Sequence, residues 1–248
     1  MIKIWSEREI AIMRKCGRTV AKLLETLREA VRPGVSTGEL DRLAEAFLLE
    51  HGVRPAFKGY RGYPATICTS VNEQVVHGLP GERVLREGDI ISIDVGACLD
   101  GYFSDAAMTF PVGEVDGTAR RLLEVCQGAL WAAIRRCIPG NHLSDISHTI
   151  QRYVESRGYS VVRDYAGHGI GTKIHDEPQI PNYGPPGQGP RLRPGMVLAI
   201  EPMVNVGTWE VMTMPDGWTV VTRDGKLSAH FEHVVAITDN GAEVLTLE

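Results

Sequence analysis

Two apolar runs in this chain each end in a carboxylate. Ile90-Ile91-Ser92-Ile93 leads to Asp94, and Met196-Val197-Leu198-Ala199-Ile200 leads to Glu201. Runs of this kind read as buried strands. A buried carboxylate is costly unless it is paired or coordinates a metal. Any fold built on these strands must therefore compensate both charges. The two runs are also related to each other. Leu85-Arg86-Glu87-Gly88 precedes Asp94 as Leu192-Arg193-Pro194-Gly195 precedes Glu201, so L-R-x-G-x(4)-I-[DE] occurs twice at an offset of 107 residues. Upstream, Pro33-Gly34, Glu39-Leu40 and Gly52 match Pro139-Gly140, Asp145-Ile146 and Gly158 at an offset of 106. Two matches at nearly one offset predict two αβ halves related by a pseudo-twofold axis, each bringing an acidic strand to a shared centre.

Other residues of metal-ligand type complete a set of five: Asp94, Asp105, His168, Glu201 and Glu232. Four carboxylates beside a neutral His carry a charge of −4, which two divalent cations balance. The pattern predicts a carboxylate-bridged two-metal hydrolase site. Asp94 and Asp105 flank Cys98-Leu99-Asp100-Gly101, an Asp-Gly hairpin signal. A hairpin centred between Leu99 and Asp100 places position 94 opposite position 105. Alternation then puts Ser92, Asp94 and Gly96 on one face, and Ile91, Ile93 and Val95 on the other.

Helical patterning covers residues 7–31, 37–51, 117–137 and 143–157, with Ser36 and Glu39 forming a capping-box signature. Strands are expected near 65–76, 89–97, 102–111, 161–166, 196–204, 209–213, 218–222 and 229–237. Residues 181–194 are rich in Pro and Gly and read as a surface loop. The acidic strands lie in different halves, so one catalytic domain spanning 1–248 is expected.

Composition narrows the function classes. A net charge of −5 without a basic block gives no signal for nucleic acid. No apolar stretch reaches 18 residues, so no membrane span is expected. The charged N-terminal stretch does not read as a signal peptide. Five cysteines without a CxxC pair read as reduced thiols of a cytoplasmic protein.

Among the histidines, His168 sits in Gly167-His168-Gly169-Ile170-Gly171, which lacks the spacing of a phosphate loop. His175 follows closely in Ile174-His175-Asp176. His77 ends an apolar strand at a Gly-Leu-Pro turn, a rigid position for reaching a substrate. His230 shares a strand face with Glu232 and is read as outside the ligand set, while His233 is read as structural. His51, His142 and His148 fall on polar helical stretches and are expected to be solvated.

The set V-H-G-L-P, I-D-V-G with a second Asp eleven residues on, G-H-G-I-G-x-x-x-H, A-I-E-P and S-A-H-F-E-H resembles the bacterial type I methionine aminopeptidases of the M24 metallopeptidases, from about residue 4 to 245. The resemblance implies the α+β pita-bread fold, two pseudo-twofold-related αβ halves around a central curved antiparallel sheet. It implies a metal-dependent exopeptidase that removes the initiator methionine when the second residue is small. Asp94 would hold one ion and His168 with Glu201 the other, with Asp105 and Glu232 bridging. Glu201 would also move a proton, and His77 and His175 would face the substrate. The methionine pocket would comprise Phe57, Tyr60, Tyr63, Cys68, Ile174 and Trp218, with Tyr60 and Tyr63 on a Gly-rich loop.

The donor set suits Co, Mn, Fe or Zn. Implied partners are nascent peptide N-termini emerging at the ribosome, met by a monomer in the cytoplasm. Two positions depart from the family pattern: His230 where Gln is frequent, and Asp176 where Glu is frequent. Competing readings are a proline-directed aminopeptidase or prolidase, which usually carries an extra N-terminal domain, and a non-catalytic binding member, which would have lost ligands.

Overall fold

A computed structural model describes residues 2–248. The first half opens with helices α1 (Glu7–Ala30) and α2 (Thr37–Glu50), followed by β1 (Arg54–Pro55) and a 3₁₀ turn at Tyr60–Gly62. It continues through β2 (Cys68–Val71), β3 (Gln74–Val76), β4 (Ile90–Leu99) and β5 (Tyr102–Pro111). The second half repeats two helices, α3 (Gly117–Ile134) and α4 (Leu143–Glu155), and then ten short strands. These are β6 (Ser160–Val161), β7 (Ala166–Gly169), β8 (Asp176–Pro181), β9 (Val197–Ile200) and β10 (Met203–Asn205), then β11 (Val211–Thr213), β12 (Val220–Thr222), β13 (Ser228–His230), β14 (His233–Thr238) and β15 (Gly241–Val244).

Each half packs two helices against one face of an antiparallel sheet. α1 and α2 bury Val20, Leu24, Leu40 and Leu48 against Ile91, Ile93, Val95 and Ala97 of β4. α3 and α4 bury Leu122, Leu130, Ile146 and Ile150 against Leu198, Ile200, Val235 and Ile237. The opposite faces turn inward and carry the acidic residues, and that of the second sheet also buries Val197, Ala199, Val234 and Ala236 against Ile10 and Met13 of α1. The order β1-β4-β2, with β5 on β4, forms one sheet, and β15-β14-β9-β7-β8 forms another. Between them, Glu232 N–H donates to Ala107 O at 2.8 Å and Ala107 N–H to Glu232 O at 3.4 Å, which sews the halves together.

The repeat read in the sequence reappears bond by bond. Gly34 N–H reaches Leu85 O at 2.9 Å, and Gly140 N–H reaches Leu192 O at 3.0 Å. Ser36 N–H bonds Glu39 Oε2 at 2.7 Å, and His142 N–H bonds Asp145 Oδ2 at 2.8 Å, so in both second helices the acid three residues on reaches back to the N-cap N–H. Gly88 N–H bonds Val112 O at 3.0 Å, and Gly195 N–H bonds Ile237 O at 2.9 Å.

Several expectations need correction. The hairpin turn is Asp100-Gly101, with φ +50° and +83°, so Leu99 pairs with Tyr102 and Asp94 with Ala107, while Asp105 faces Gly96. Both central residues at positive φ make the mirror-image turn whose twist suits a two-residue hairpin. The shift from the expected register is two residues, so face assignments survive and the two aspartates sit diagonally rather than directly opposite. The strand expected at 161–166 is two elements, β6 and β7, the second carrying His168. The 65–76 run bends after Val71, and β1, β8 and β15 lack a strong sequence pattern. The expected strand 196–204 breaks at Glu201-Pro202, where proline supplies no N–H. The 229–237 run breaks around Glu232. Neither His142 nor His148 is simply solvated: both are half-buried and anchor the 184–189 loop, Nδ1 lying 2.9 Å from Gly189 O and 3.1 Å from Gly184 O respectively.

Gly88 and Gly195 occupy equivalent turns at φ +88° and +87°. A side chain at Gly88 would meet only Glu114 O at 3.8 Å, whereas one at Gly195 would lie 2.6 Å from Ile4 Cγ2 and 2.9 Å from Trp5 O. Gly88→Ala is expected to cost about 1–2 kcal/mol from backbone conformation alone. Gly195→Ala is expected to cost clearly more. Urea denaturation of both variants checks the ranking, and equal losses would refute it.

Candidate metal centre

Strand pairing brings the five residues together. Cys68, Asp94, Ala107 and Glu232 form one lateral row across β2, β4, β5 and the chain break before β14. Ala107 contributes only a methyl group, so Asp94 and Glu232 converge over it, with Asp105 two residues along. In the other sheet His168 pairs with Ala199, and Ala199 with Val234. Glu201 and Glu232 lie one step beyond the last ladder pair, Ile200 with His233. One oxygen each from Asp94, Asp105 and Glu232 lies within 4.8 Å of the others, and ligand atoms of His168, Glu201 and Glu232 meet the same limit. The two clusters share Glu232.

Three carboxylate oxygens of this centre lack protein partners. Asp94 Oδ1, Asp105 Oδ1 and Glu232 Oε1 are buried without a hydrogen bond. His168 Nδ1 lies 3.0 Å from Gly169 O. Donation to that carbonyl puts the ring proton on Nδ1 and leaves the Nε2 lone pair facing Glu201 Oε1 at 3.4 Å. Two lone-pair-bearing atoms at that distance need a cation or a proton between them. Without a cation, burial pushes Asp94 up to about 7 and Asp105, Glu201 and Glu232 well above the ordinary carboxylate range, and repulsion between neighbouring carboxylates reinforces the last three. Burial also lowers His168 to about 4, which keeps it neutral and able to ligate. Oxygen and imidazole donors, buried and unpartnered, fit divalent cations.

A cavity of about 760 Å³ opens above the acids. One wall is apolar. Phe57, Tyr63, Cys68 and Ile174 form a buried cluster flanked by Tyr60 and Trp218. Tyr63 meets Phe57 and Trp218 edge-on, at centroid distances of 6.5 and 5.0 Å. Its hydroxyl lies 3.0 Å from Ile67 O and 3.1 Å from Gly78 O, so it is locked to the scaffold while its ring faces the cavity. Gly96 keeps this wall open, since a Cβ there would sit 2.5 Å from Phe57 Cε1 and 3.0 Å from Ile174 Cδ1. Tyr60, by contrast, is half-buried, and its hydroxyl meets His175 Nδ1 at 3.1 Å.

His77 and His175 border the cavity. His77 ends β3 at φ +59° and packs edge-on against Tyr165, ring centroids 5.4 Å apart. His175 reaches in from the mouth and meets His168 edge-on, ring centroids 4.5 Å apart. Desolvation, then His168 and Arg61, depress its basicity. His230 lies buried beside two of the carboxylates. Its buried, unpartnered Nε2 is 3.9 Å from Glu201 Oε2 and 4.0 Å from Glu232 Oε2. The i, i+2 spacing from Glu232 was the signal for that placement. Asp176 turns outward to Lys3 at 3.2 Å. Tyr165, Met203 and Arg163 also line the cavity without a sequence signature.

Comparison with known proteins agrees with this geometry. Residues 11–239 match the metallopeptidase family M24. The methionine aminopeptidase of Clostridium perfringens is 55% identical over 247 residues, covering 100% of this chain and 99% of that protein. Methionine aminopeptidase 1 of Bacillus subtilis is 55% identical, covering 99% of each. The crystal structure of methionine aminopeptidase from Thermotoga maritima superposes with a TM-score of 0.99 at 51% identity, covering 100% of both chains. Prolidase from Pyrococcus furiosus shares the fold at a TM-score of 0.80 and 25% identity, and the match covers 99% of this chain but 65% of that one. The chain belongs to metallopeptidase family M24, among its methionine aminopeptidases.

Proposed function

We propose that the chain removes N-terminal methionine from peptides and nascent proteins whose second residue is small. The observation that carries this reading is a buried, unpartnered acid centre opening directly onto a soft aromatic pocket. Phe57, Tyr60, Tyr63, Cys68, Ile174 and Trp218 form a wall suited to a thioether, and sulfur–aromatic contacts add about 0.3–1.5 kcal/mol. Asp94 would hold one divalent ion and His168 with Glu201 the other, with Asp105 and Glu232 placed to serve both. Bound there, the ions supply Lewis acidity, lowering the pKa of water and polarising carbonyl oxygens. One catalytic domain spanning 1–248 is supported by the contribution of both halves to this one centre. A reducing cytoplasm is supported by five buried free cysteines.

Glu201 is the proton carrier. Its carboxylate lies beside His168 on the cavity, and in its ionised form it can take a proton from water and pass it to the departing amine. His175 is neutral, and with the Tyr60 hydroxyl donating to Nδ1 its proton sits on Nε2, aimed into the cavity. There it stabilises the developing oxyanion of the scissile carbonyl. His77, fixed at a strand end, contacts the scissile nitrogen. The free amine of the substrate is drawn to the acid centre, which an internal peptide bond cannot exploit. Tyr165 and Met203 crowd the second side chain.

Chelation is expected to abolish methionine release from Met-Ala-Ser, and a divalent ion to restore it. Asp105→Ala and Glu232→Ala should be the most damaging single ligand changes; near-native activity in either would refute the bridged assignment. Stability carries a second signature. A carboxyl group with a folded pKa above its unfolded value stabilises fully below the unfolded pKa and loses that contribution as pH rises through the folded one. For Asp94 the interval runs from 3.8 to about 7. The metal-free protein should therefore lose a Tm contribution across this range, and the gap to the metal-loaded protein should widen. Calorimetry in chelator from pH 5 to 8 checks this, and a constant gap would refute it.

The histidines should separate by readout. His168→Ala should lower metal content. His77→Ala and His175→Ala should keep it while lowering kcat by roughly 10²–10³-fold, the scale for losing one transition-state donor. Equal metal loss in all three, measured by elemental analysis, would overturn the division.

Specificity supplies a further check. Met-Ala-Ser should be cleaved rapidly, Met-Lys-Ser and N-formyl-Met-Ala-Ser slowly. Leu or norleucine in first position should be tolerated weakly, since a methylene's difference is worth only about 1–3 kcal/mol. Rapid turnover of the lysine or formylated peptide would sink this reading of the pocket and the amine site.

A further inference from the structure

The mouth of the cavity carries a cation that the proposed chemistry does not use. Arg163 follows β6 and lines the opening together with Tyr165 and Tyr183. Its guanidinium carbon lies 4.9 Å from the ring centroid of Trp209 and 5.5 Å from that of Tyr183. Both rings are 37% exposed, so the sandwich stands at the surface. Glu155 is its ion-pair partner at 3.8 Å, too far for a hydrogen bond. The planar donor fork is therefore held in place by two aromatic faces while its N–H groups stay available to another acceptor. Val211, which follows Trp209 towards β11, packs in one cluster with Tyr165, Met203 and Val76, all three of them cavity-lining residues. The sandwich and the cavity wall thus share one support.

Arg163 and Tyr183 line the same cavity as the acids. With methionine in the aromatic pocket and the scissile bond over the acids, the remaining peptide must leave through the mouth. An extended chain advances about 3.3–3.6 Å per residue, so its third and fourth residues pass the rim. We propose that Arg163, clamped between Tyr183 and Trp209, is a specificity residue that favours an acidic side chain at the third or fourth position of the substrate. This rests on the aminopeptidase reading above. Glu155 and Asp164 partly offset the guanidinium charge, and the contact is solvent-exposed, so the expected preference is modest. Exposed ion pairs of this kind correspond to about two- to fivefold.

The test compares Met-Ala-Asp-Asp-Gly with Met-Ala-Lys-Lys-Gly on the metal-loaded enzyme, taking the ratio of the two kcat/KM values. The wild-type ratio should favour the acidic peptide about two- to fivefold, mainly through KM, and shrink as salt rises. Arg163→Ala should bring the ratio near one, and Arg163→Lys should retain part of it. Trp209→Ala, which unclamps the guanidinium, should reduce it. A merely structural role would lower both peptides together and leave the ratio untouched. That result, or a wild-type ratio near one, would overturn the proposal. Failure of the wild-type enzyme to release methionine from either peptide would instead overturn the aminopeptidase reading, and the proposal with it.

Discussion

Repulsion among buried carboxylates at the seam between two halves is the constraint on which the rest of this structure depends. Asp94 and Asp105 come from the first half, Glu201 and Glu232 from the second, and the seam is the Ala107–Glu232 bridge. Bringing them together costs desolvation of each acid and mutual repulsion, which burial makes worse because screening by water is lost. Protons or cations must compensate. The raised carboxyl pKa values record the first solution, and the unpartnered oxygens facing one another record room for the second. Asp94 gives up its proton as pH rises through about 7, whereas divalent ions serve all four acids at once. Metal binding and the docking of the halves are thus one equilibrium seen from two sides.

The apolar parts of the fold make this arrangement affordable. In each half a helix pair buries an aliphatic sheet face, so the acidic face is fixed by the same register that fixes the core. A one-residue slip would move Asp94 into the layer of Ile91, Ile93 and Val95 and bring those residues into the cavity. The core therefore specifies the metal centre as much as the ligands do. The interruptions in the second half serve the same end. Pro202 ends the ladder immediately after Glu201, and the gap between β13 and β14 lets Glu232 leave its own sheet to pair with β5.

This division explains what the sequence disclosed. Repeated turns, caps and acidic strands were legible because each depends on local chemistry: a positive-φ glycine, a reciprocal cap, a carboxylate at the end of an apolar run. The hairpin register was misread by two residues because the turn was centred one residue early, and face assignments survived because the error was even. β1, β8 and β15 were missed because their pairing comes from neighbours rather than from alternation within them. The place of His230 beside the carboxylates was legible from its i, i+2 spacing to Glu232. The Arg163 sandwich left no signature, since Trp209 and Tyr183 are distant in sequence and meet only through the fold.

Ligands and substrate-facing residues also sit on different kinds of backbone. Asp94, Asp105 and His168 are on paired strands, while Glu201 and Glu232 flank strand breaks pinned by Pro202 and the seam. The groups around the substrate lie at strand ends and turns: His77 at φ +59°, Arg61 at φ +50° beside Tyr60, and His175 between β7 and β8. Sites built on strands hold geometry tightly, whereas loops tolerate change. A metal centre sensitive to small displacements thus belongs on the sheet, and a pocket that discriminates by fit belongs on the turns. Replacement of a rim residue such as Arg163 or Trp209 leaves the ladder, the seam and the aliphatic layers intact. Replacement of Ala107 by a larger residue would instead wedge Asp94 from Glu232, disturbing the metal centre and the junction of the halves together.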